Sequence, residues 1–281
     1  MSVLTPGRPH GRAPGRLAVP RRPPSPRKVV TAVLVTAVLA ALHTAAWIGT
    51  DMDLGMLAEG WDGMARFVSE ALPPDLTWSP VVRDGLDACL VTLWIGLLGT
   101  TLSLPFTIVL AALGSRTTGC NAAVYQAARS TMSFLRAVPD VVFALIFVTA
   151  VGLGPFAGVL ALVCHNTGVM GKLWSEAMEE TDDGPAQALR IAGARRSQVV
   201  LHAVLPACLP QLVGLVLYRL DVNVRTSLVL GLVGAGGIGF LINQAIQLFR
   251  FDQMLTYILM VLVLVVAVDM LSSFVRKRLA A

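Results

Sequence analysis

The stretch Gln187-Ala-Leu-Arg-Ile-Ala-Gly193, followed shortly by Ala203-Val-Leu-Pro206, is a polar insert between long apolar segments. Pro185, just upstream, favours a helix start, because proline lacks only a backbone donor that the first turn would leave unpaired. Gly193 favours a helix end, because glycine readily adopts the left-handed cap conformation. The spacing predicts a short helix from Pro185 to Gly193 and a second from about Ala194 that ends at Pro206.

The insert carries a face of small and apolar residues, which are Ala188, Leu189, Ala192, Val199 and Val200, with Gly193 between them. Such a face fits two different surroundings. It can enter a groove of a partner protein, as amphipathic helices do, or rest on lipid headgroups, with the flanking arginines at the surface. The residues alone leave both possibilities open.

The rest of the chain has the composition of a membrane protein. Hydrophobic residues are 55% of the 281 and charged residues 14%, and the mean hydropathy is +0.71, which excludes a soluble globular domain. The net charge of +5 does not predict a nucleic-acid partner, because the basic residues lie at the ends of apolar segments, as topology signals do. The four cysteines are scattered, so we expect no metal site.

About six apolar segments are long enough to cross roughly 30 Å of hydrocarbon. They lie at residues 29–49, 86–113, 137–153, 156–172, 207–233 and 255–275. The stretch Gly152-Leu-Gly-Pro155 between the third and the fourth predicts a tight helical hairpin. Most of the 22 Lys and Arg residues fall on one side of this topology, which predicts that both termini are cytoplasmic.

These segments divide the chain into four parts. Residues 1–28 are rich in Arg, Pro and Gly without an acidic residue, which predicts a disordered, basic cytoplasmic tail. Residues 29–49 predict the first transmembrane helix, and residues 50–84 predict an external segment with a surface-lying helix. Residues 85–281 predict the core domain, an all-α membrane helix bundle with the cytoplasmic insert at residues 173–206.

The insert resembles the cytoplasmic signature of inner-membrane permeases of binding-protein-dependent ABC importers, E-A-A-x3-G-x9-I-x-L-P. The residues that match the signature are Ala188, Gly193, Leu205 and Pro206. Those that replace its Glu, second Ala and Ile are Gln187, Leu189 and Ala203. Further stretches, at residues 134–147, 165–172, 217–225 and 230–239, are similar to the phosphonate-transport permeases.

This resemblance implies the type I permease fold of ABC importers and a transporter subunit rather than an enzyme. The insert would be the coupling helix that docks onto a separate ATP-hydrolysing subunit, which would bind ATP and Mg, so that this chain holds no cofactor. The implied coupling residues are Gln187, Ala188, Leu189, Gly193, Ala194, Leu205 and Pro206. The other implied partners are an external substrate-binding protein, a second permease copy in a homodimer, and the lipid of a bacterial inner membrane.

The fifth apolar segment carries Arg219, Asp221 and Arg225, although a charge at membrane depth costs roughly 2.5 to 3.5 kcal/mol on insertion scales. Helical spacing places Asp221 and Arg225 on one face as a pair, so Arg219 needs another partner. It either locks the bundle through Asp269 or a helix-end carbonyl, or lines the route and favours an anion. The candidate pathway residues are Tyr218, Arg219, Asp221, Asn223 and Arg225.

Two other groups of residues could likewise have either a structural or a functional role. For His165 and Asn166, in the fourth apolar segment, we predict a satisfied polar pair between packed helices. Gly234-Ala-Gly-Gly-Ile-Gly239 has the spacing of a dinucleotide fingerprint but follows an apolar membrane segment rather than a strand, so we do not predict a nucleotide site. Its glycines, Gly234, Gly236, Gly237 and Gly239, are predicted to allow close helix approach or bending during gating.

The function that these features favour is that of the transmembrane permease subunit of an ATP-driven ABC importer for phosphonate or a related phosphorus oxyanion. The alternative is an ion-coupled secondary transporter or channel for anions, which would work without ATP. A membrane enzyme acting on lipid phosphate is disfavoured, because the sequence groups no catalytic set of His, Asp and Ser.

Overall fold

The computed structural model describes residues 26–118 and 121–279. Every regular element within these residues is helical, as predicted. The contacts divide the chain into two compact units, residues 1–62 and 63–281. The first unit contains α1 (Pro26–Gly49) and α2 (Gly55–Glu59).

The helix α1 corresponds to the predicted first membrane segment. It has 24 residues, and its side chains are exposed, which suits a helix surrounded by lipid. It begins at Pro26, so the prediction of a disordered tail over residues 1–28 is wrong for the last three residues. Proline is well tolerated in a first turn, where its missing N–H leaves no bond unmade. The remainder of the predicted tail, residues 1–25, lies outside the described residues.

Four further helical runs are long and apolar enough to cross a membrane: Trp78–Leu113, Pro155–Glu180, Arg196–Leu232 and Phe251–Arg278. They correspond to the segments predicted at 86–113, 156–172, 207–233 and 255–275. The helices in these runs are α4 (Arg83–Leu113), α7 (Pro155–Glu180), α10 (Leu205–Leu232) and α12 (Phe251–Leu279). The predicted multi-span helix bundle is therefore confirmed.

The third predicted span, residues 137–153, is a single helix, α6 (Asp140–Val151), but a shorter one than predicted. It follows α5 (Ala122–Ala137) after a bend of 85°, and only the bent pair together is apolar and long enough to count as a further span. Pro139 at the break has no N–H to donate, and the residue before a proline is driven into extended backbone, as Val138 is with ψ 122°. At 12 residues, α6 is about 18 Å long, too short to cross the bilayer alone. The predicted hairpin is present, because α6 packs against α7.

The predicted helix end at Pro206 is also wrong. After α8 (Asp183–Ile191) and α9 (Arg196–Val199), a π-helical turn at Val200–Val204 leads directly into α10. The helical run extends for 37 residues, from Arg196 to Leu232. Pro206 lies in the first turn of α10, where the missing donor disturbs the helix least. The insert is thus joined by continuous helix to a membrane-crossing segment.

The central helix of the bundle is α7, which contacts α4, α5, α6 and α10. Glycines permit this close packing, as is common between membrane helices. A Cβ atom at Gly99 of α4 would lie 2.6 Å from the Cβ atom of Leu162 on α7, and one at Gly168 of α7 would lie 2.7 Å from the Cβ atom of Leu135 on α5. The small residues therefore set the helix separations.

The predicted external segment, residues 50–84, contains α2, α3 (Trp61–Ala71) and a π-helical turn at Trp78–Val82. Within the second unit, the ring of Phe67 on α3 meets the ring of Phe251 at the start of α12 edge to face, 4.8 Å between centroids. The backbone carbonyl of Asp75 accepts a hydrogen bond from Thr256 Oγ1 at 2.8 Å. These contacts hold the part of the segment that belongs to the second unit against α12, and a position of α3 on the membrane surface stays a prediction.

Candidate functional site

The start of the insert helix α8 is fixed by a cap. The carboxylate of Asp182 accepts a hydrogen bond from the backbone N–H of Gly184 at 3.1 Å, as N-cap aspartates do. The helix begins at Asp183, so Pro185 is its third residue rather than its first. Two carboxylates at the positive end of the helix dipole stabilise this start further.

The end of α8 is the turn predicted at Gly193. This residue adopts φ +83°, which L side chains rarely do. Its N–H donates to the carbonyl of Arg190 at 3.1 Å, and the N–H of Ala194 donates to the carbonyl of Leu189 at 3.0 Å. This pair of bonds is the Schellman arrangement, which satisfies the last carbonyls of a helix.

Part of the insert packs inward, onto a cluster that we call the insert-end core. Ala186 and Val199 are 1% and 3% exposed, and both pack there with Trp174, Met178 and Cys208. The prediction that Val199 belongs to a face offered to a partner or to lipid is therefore wrong. It stabilises this chain's own core, and the partly buried side chains that pack beside it include Leu189, Ala194 and Leu205.

Another part of the insert points outward. The side chain of Ile191 is 89% exposed, which is unusual for a large aliphatic residue on a short helix. Sequence reasoning missed Ile191, although it lies four residues after Gln187 and so shares its helix face. We call this surface the exposed insert face, and its residues are Gln187, Ala188, Ile191, Ala192 and Gly193. Pro206 is exposed further along the chain.

Three segments near the insert are tied together at Glu179. Its Oε1 accepts from the backbone N–H of Arg116 and from Nη2 of Arg129, each at 2.8 Å. Nε of Arg129 donates to the carbonyl of Gly114 at 2.8 Å. A hydrogen bond from Nε of Arg116 to the hydroxyl of Tyr125 raises the pKa of this guanidinium above its ordinary value. The loop after α4 is thereby held against α5 and α7.

Arg219 lies on α10 and is bonded to α7. Its Nε donates to Oδ1 of Asn166 at 2.6 Å, and Nδ2 of Asn166 donates to the carbonyl of Gly99 on α4 at 3.3 Å. The predicted partner Asp269 is exposed on α12, so the predicted contact between Arg219 and Asp269 is wrong, whereas the choice between a locking role and a pathway role for Arg219 stays open. An uncharged amide leaves the positive charge of Arg219 without direct neutralisation at this contact.

The other polar residues of α10 are paired as follows. Arg225 Nη2 forms an ion pair with Asp221 Oδ2, the pair that helical spacing predicts. The Asp221 side chain is 3% exposed and that of Arg225 is 49% exposed. Asn223 Nδ2 donates to Oγ1 of Thr100 on α4 at 2.7 Å, and Tyr218 is half exposed. Asp221 Oδ1 and Asn223 Oδ1 are buried acceptors with no hydrogen-bond partner among the described residues.

Polar groups also converge on the break between α5 and α6. Nδ1 of His165 lies 3.3 Å from the carbonyl of Val138. The charge of Asp140 is close enough to act on both Arg219 and His165. His165 and Asn166 are thus each satisfied, but by different partners rather than as a pair. Asp140 was missed, although a carboxylate after Pro139 in an apolar segment was the available signal.

The glycine-rich stretch forms a tight turn between α10 and α11 (Ile238–Gln247). Gly234, Gly236 and Gly237 have φ values of +96°, +76° and +73°, and a Cβ atom on Gly239 would lie 2.0 Å from the carbonyl oxygen of Leu228. The predicted close approach is confirmed, and bending during gating stays a prediction.

Known sequences are similar to this chain over most of its length. The family model described as "Binding-protein-dependent transport system inner membrane component" matches residues 103–281. The chain is 37% identical over 243 residues to "Phosphite transport system permease protein PtxC" of Stutzerimonas stutzeri, covering 86% of this chain and 87% of that protein. It is 38% identical over 221 residues to "Phosphate-import permease protein PhnE" of Mycolicibacterium smegmatis, covering 79% of this chain and 41% of that protein.

Among solved structures, a chain of the MetNI methionine ABC transporter in an inward-facing conformation is similar, with a TM-score of 0.60 and 23% sequence identity. The match covers 73% of this chain and 99% of that chain. At this identity the likeness concerns the fold alone.

Proposed function

We propose, from the premise that this chain belongs to the family of binding-protein-dependent transport system inner membrane components, that it carries a phosphorus oxyanion across the membrane. The chain is an ABC importer permease. The observation that carries the substrate class is the 37% identity to a phosphite permease across 86% of this chain. Phosphite, phosphonate and phosphate share the charge and the acceptor oxygens that matter to an arginine.

The geometry at Arg219 supports an anionic substrate. Its guanidinium is held by a neutral amide at 2.6 Å, a bond that uses one of five N–H donors. The other donors suit the oxygens of a phosphorus oxyanion, which guanidinium groups bind in bidentate fashion. His165 and Asp140 lie near enough to interact with this charge. We infer that the helix break at Val138 and Pro139 is one wall of the route, because polar groups from α7 and α10 meet there.

The exposed insert face supports a separate ATPase partner. An 89% exposed Ile191 beside small residues makes a shallow apolar surface of the kind that enters a groove. The residue at the position of the signature glutamate is Gln187, so docking here would rest on shape and apolar contact rather than on a salt bridge. ATP and Mg would be bound by the partner, which would supply the chemical energy.

The family description supports the second partner, an external binding protein that delivers the substrate. A second permease copy would complete the route, and we propose a homodimer. The basic residues at the insert and at both ends of the chain favour a topology with the insert and both termini in the cytoplasm, under the positive-inside rule. The chain would then be a multi-pass permease of a bacterial inner membrane.

The deciding experiment is reconstitution of this chain in proteoliposomes with its ATPase subunit and its binding protein. The binding protein is loaded in turn with phosphonate, phosphite, phosphate or sulfate, and ATP hydrolysis and uptake are measured. We expect at least one phosphorus oxyanion to stimulate both. Stimulation by sulfate alone would contradict the substrate class. Transport by the purified chain alone, without nucleotide, would instead support the ion-coupled alternative.

A further inference from the structure

A cavity of about 420 Å³ lies between the loop after α4 and the insert. Its volume is in the range of small-ligand pockets. We call it the arginine cavity, and the residues that line it are Arg116, Thr117, Arg190, Ala194, Arg196 and Val199. No carboxylate is among these lining residues in the described part of the chain. Arg116 and Arg190 bring two guanidinium groups to one small space, an arrangement that favours an anion between them.

The surroundings of Arg116 orient its guanidinium without neutralising it. Its carbon centre lies 5.8 Å from the centroid of the Tyr125 ring, and its Nε–H donates to the tyrosine hydroxyl at 3.4 Å. The nearby carboxylate of Glu179 acts on Arg116, but is bonded to the side chain of Arg129 at 2.8 Å. Aromatic stacking is a common way of presenting an arginine to an anion.

The arginines that line the cavity come from two separate parts of the chain. Arg116 follows α4, whereas Arg190 is in the last turn of α8 and Arg196 begins α9. The floor includes Val199, which is 3% exposed in the insert-end core. A group with several charged oxygens, bound between them, would connect the end of α4 to the insert by charge-assisted hydrogen bonds.

We propose that the arginine cavity binds a phosphorus oxyanion on the cytoplasmic side, and that its occupancy slows ATP-driven turnover. The bridging anion holds the insert against the end of α4, so the insert moves less freely when the ATPase acts on it. This regulatory role rests on the proposed function, since the anion delivered by transport belongs to the same class as the anion bound here. Anionic lipid headgroups carry the same phosphate chemistry and are the second possible source.

The first experiment measures binding of radiolabelled inorganic phosphate to the purified permease–ATPase complex in nanodiscs of phosphatidylcholine. Wild type is compared with Arg116→Gln, with Arg190→Gln as a second cavity variant, and with Lys277→Gln, which removes a cation outside the cavity. We expect each cavity variant to bind phosphate about tenfold more weakly, the loss for one charge-assisted contact, and Lys277→Gln to match wild type. No binding protein is needed, so a failure here is distinguishable from a failure of the proposed transport function.

The second experiment measures ATP hydrolysis and uptake by the full complex as phosphate is raised on the ATP side. Inhibition of wild type that is lost in Arg116→Gln supports the free anion as the occupant. If phosphate has no effect, but phosphatidylglycerol slows wild type and not Arg116→Gln, the headgroup is the occupant. Wild type and Arg116→Gln that respond alike to both additions, or to neither, would overturn the proposal.

Discussion

The two halves of the helical run Arg196–Leu232 bury side chains of opposite character. In the insert half, Val199 is buried in the insert-end core, and the neighbouring α8 leaves Ile191 89% exposed. In the membrane half, Arg219 and Asn223 are bonded to α7 and α4, and Asp221 is paired with Arg225. The insert half therefore buries an apolar side chain beside a helix, α8, that presents one outward, whereas the membrane half directs polar groups inward.

This difference has a mechanical meaning because no proline break separates the halves. A push on α9 reaches α10 through continuous helix, whereas a push on the exposed insert face must first pass the turn at Gly193 between α8 and α9. The helix α10 is in turn bonded to α7 and α4. The contact between Arg219 and Asn166 is thus one of the points at which movement of the insert would be transmitted to the membrane helices.

The largest effect is expected from Gly193→Arg, which should reduce ATP-driven uptake to background while the protein stays in the membrane. A Cβ atom at this position meets nothing within 4 Å, so the new side chain would obstruct a partner rather than this chain. The positive φ adds roughly 1 to 2 kcal/mol of strain. Uptake and copurification of the ATPase are the measurements.

Gly193→Asn is the matched control, because asparagine tolerates the left-handed conformation and is small. It should keep most of the uptake. If Gly193→Arg transports and copurifies with the ATPase like wild type, the insert is not the coupling element.

A paired substitution separates the outward from the inward side chains of the insert. Ile191→Ser should weaken ATPase association by roughly tenfold, as truncation of an apolar contact at an interface does, with little change in thermal stability. Val199→Ser should instead destabilise the permease by roughly 2 kcal/mol, because it removes buried apolar volume and buries a hydroxyl. ATPase affinity and melting temperature are measured for both. If both variants changed ATPase affinity and melting temperature alike, the outward and inward side chains of the insert would not differ in role.

In the membrane half, Arg219→Lys should change anion selectivity by roughly tenfold and expression much less. Lysine keeps the charge but loses the planar fork that binds oxyanions in bidentate fashion. Asn166→Ala is the companion variant, because it removes the partner of Arg219 and leaves the charge. Uptake of competing anions and protein yield are compared, and equal losses of yield and transport would show that Arg219 only locks the bundle.

The smallest effect is expected outside both halves, at Asp75, as a reference for an exposed contact. Hydrogen bonds from the Thr77 side chain and backbone lower the pKa of this carboxyl below its ordinary value of 3.8. A carboxyl whose pKa is lowered in the folded state stabilises the fold at pH values above its ordinary pKa. This contribution is lost as the pH falls through the lowered, folded-state pKa. Asp75→Asn should therefore lower the melting temperature slightly at neutral pH, with the difference shrinking below about pH 4. A difference independent of pH would contradict this assignment.

The features that were predictable from the sequence are those that depend on local patterns. Long apolar segments predicted the crossing helices, glycine at position 193 predicted the left-handed cap, and the four-residue spacing predicted the Asp221–Arg225 pair. The errors occur where local signals compete. Proline ends α5 at Pro139 but is accommodated at Pro206, because the second lies in the first turn after a π-helical turn.

The partners of buried side chains were not predictable, because they come from distant parts of the chain. Arg219 lies 53 residues from Asn166, and either an aspartate or an amide could satisfy its Nε–H. In the same way, the amphipathic spacing placed Val199 on an apolar face, but it did not determine whether this face packs inward or points outward.

The amino-acid sequence by itself determined that this chain crosses a membrane several times, that the first helix of its insert ends at Gly193, and that charges lie within a crossing helix. These properties follow from hydrophobicity and backbone stereochemistry, which act within a few residues. Only the tertiary structure decided that Arg219 bonds to Asn166, that Ile191 faces outward while Val199 faces inward, and that three arginines from two segments surround one cavity. Such arrangements depend on how helices pack at a distance, and a one-dimensional pattern holds no distances between them.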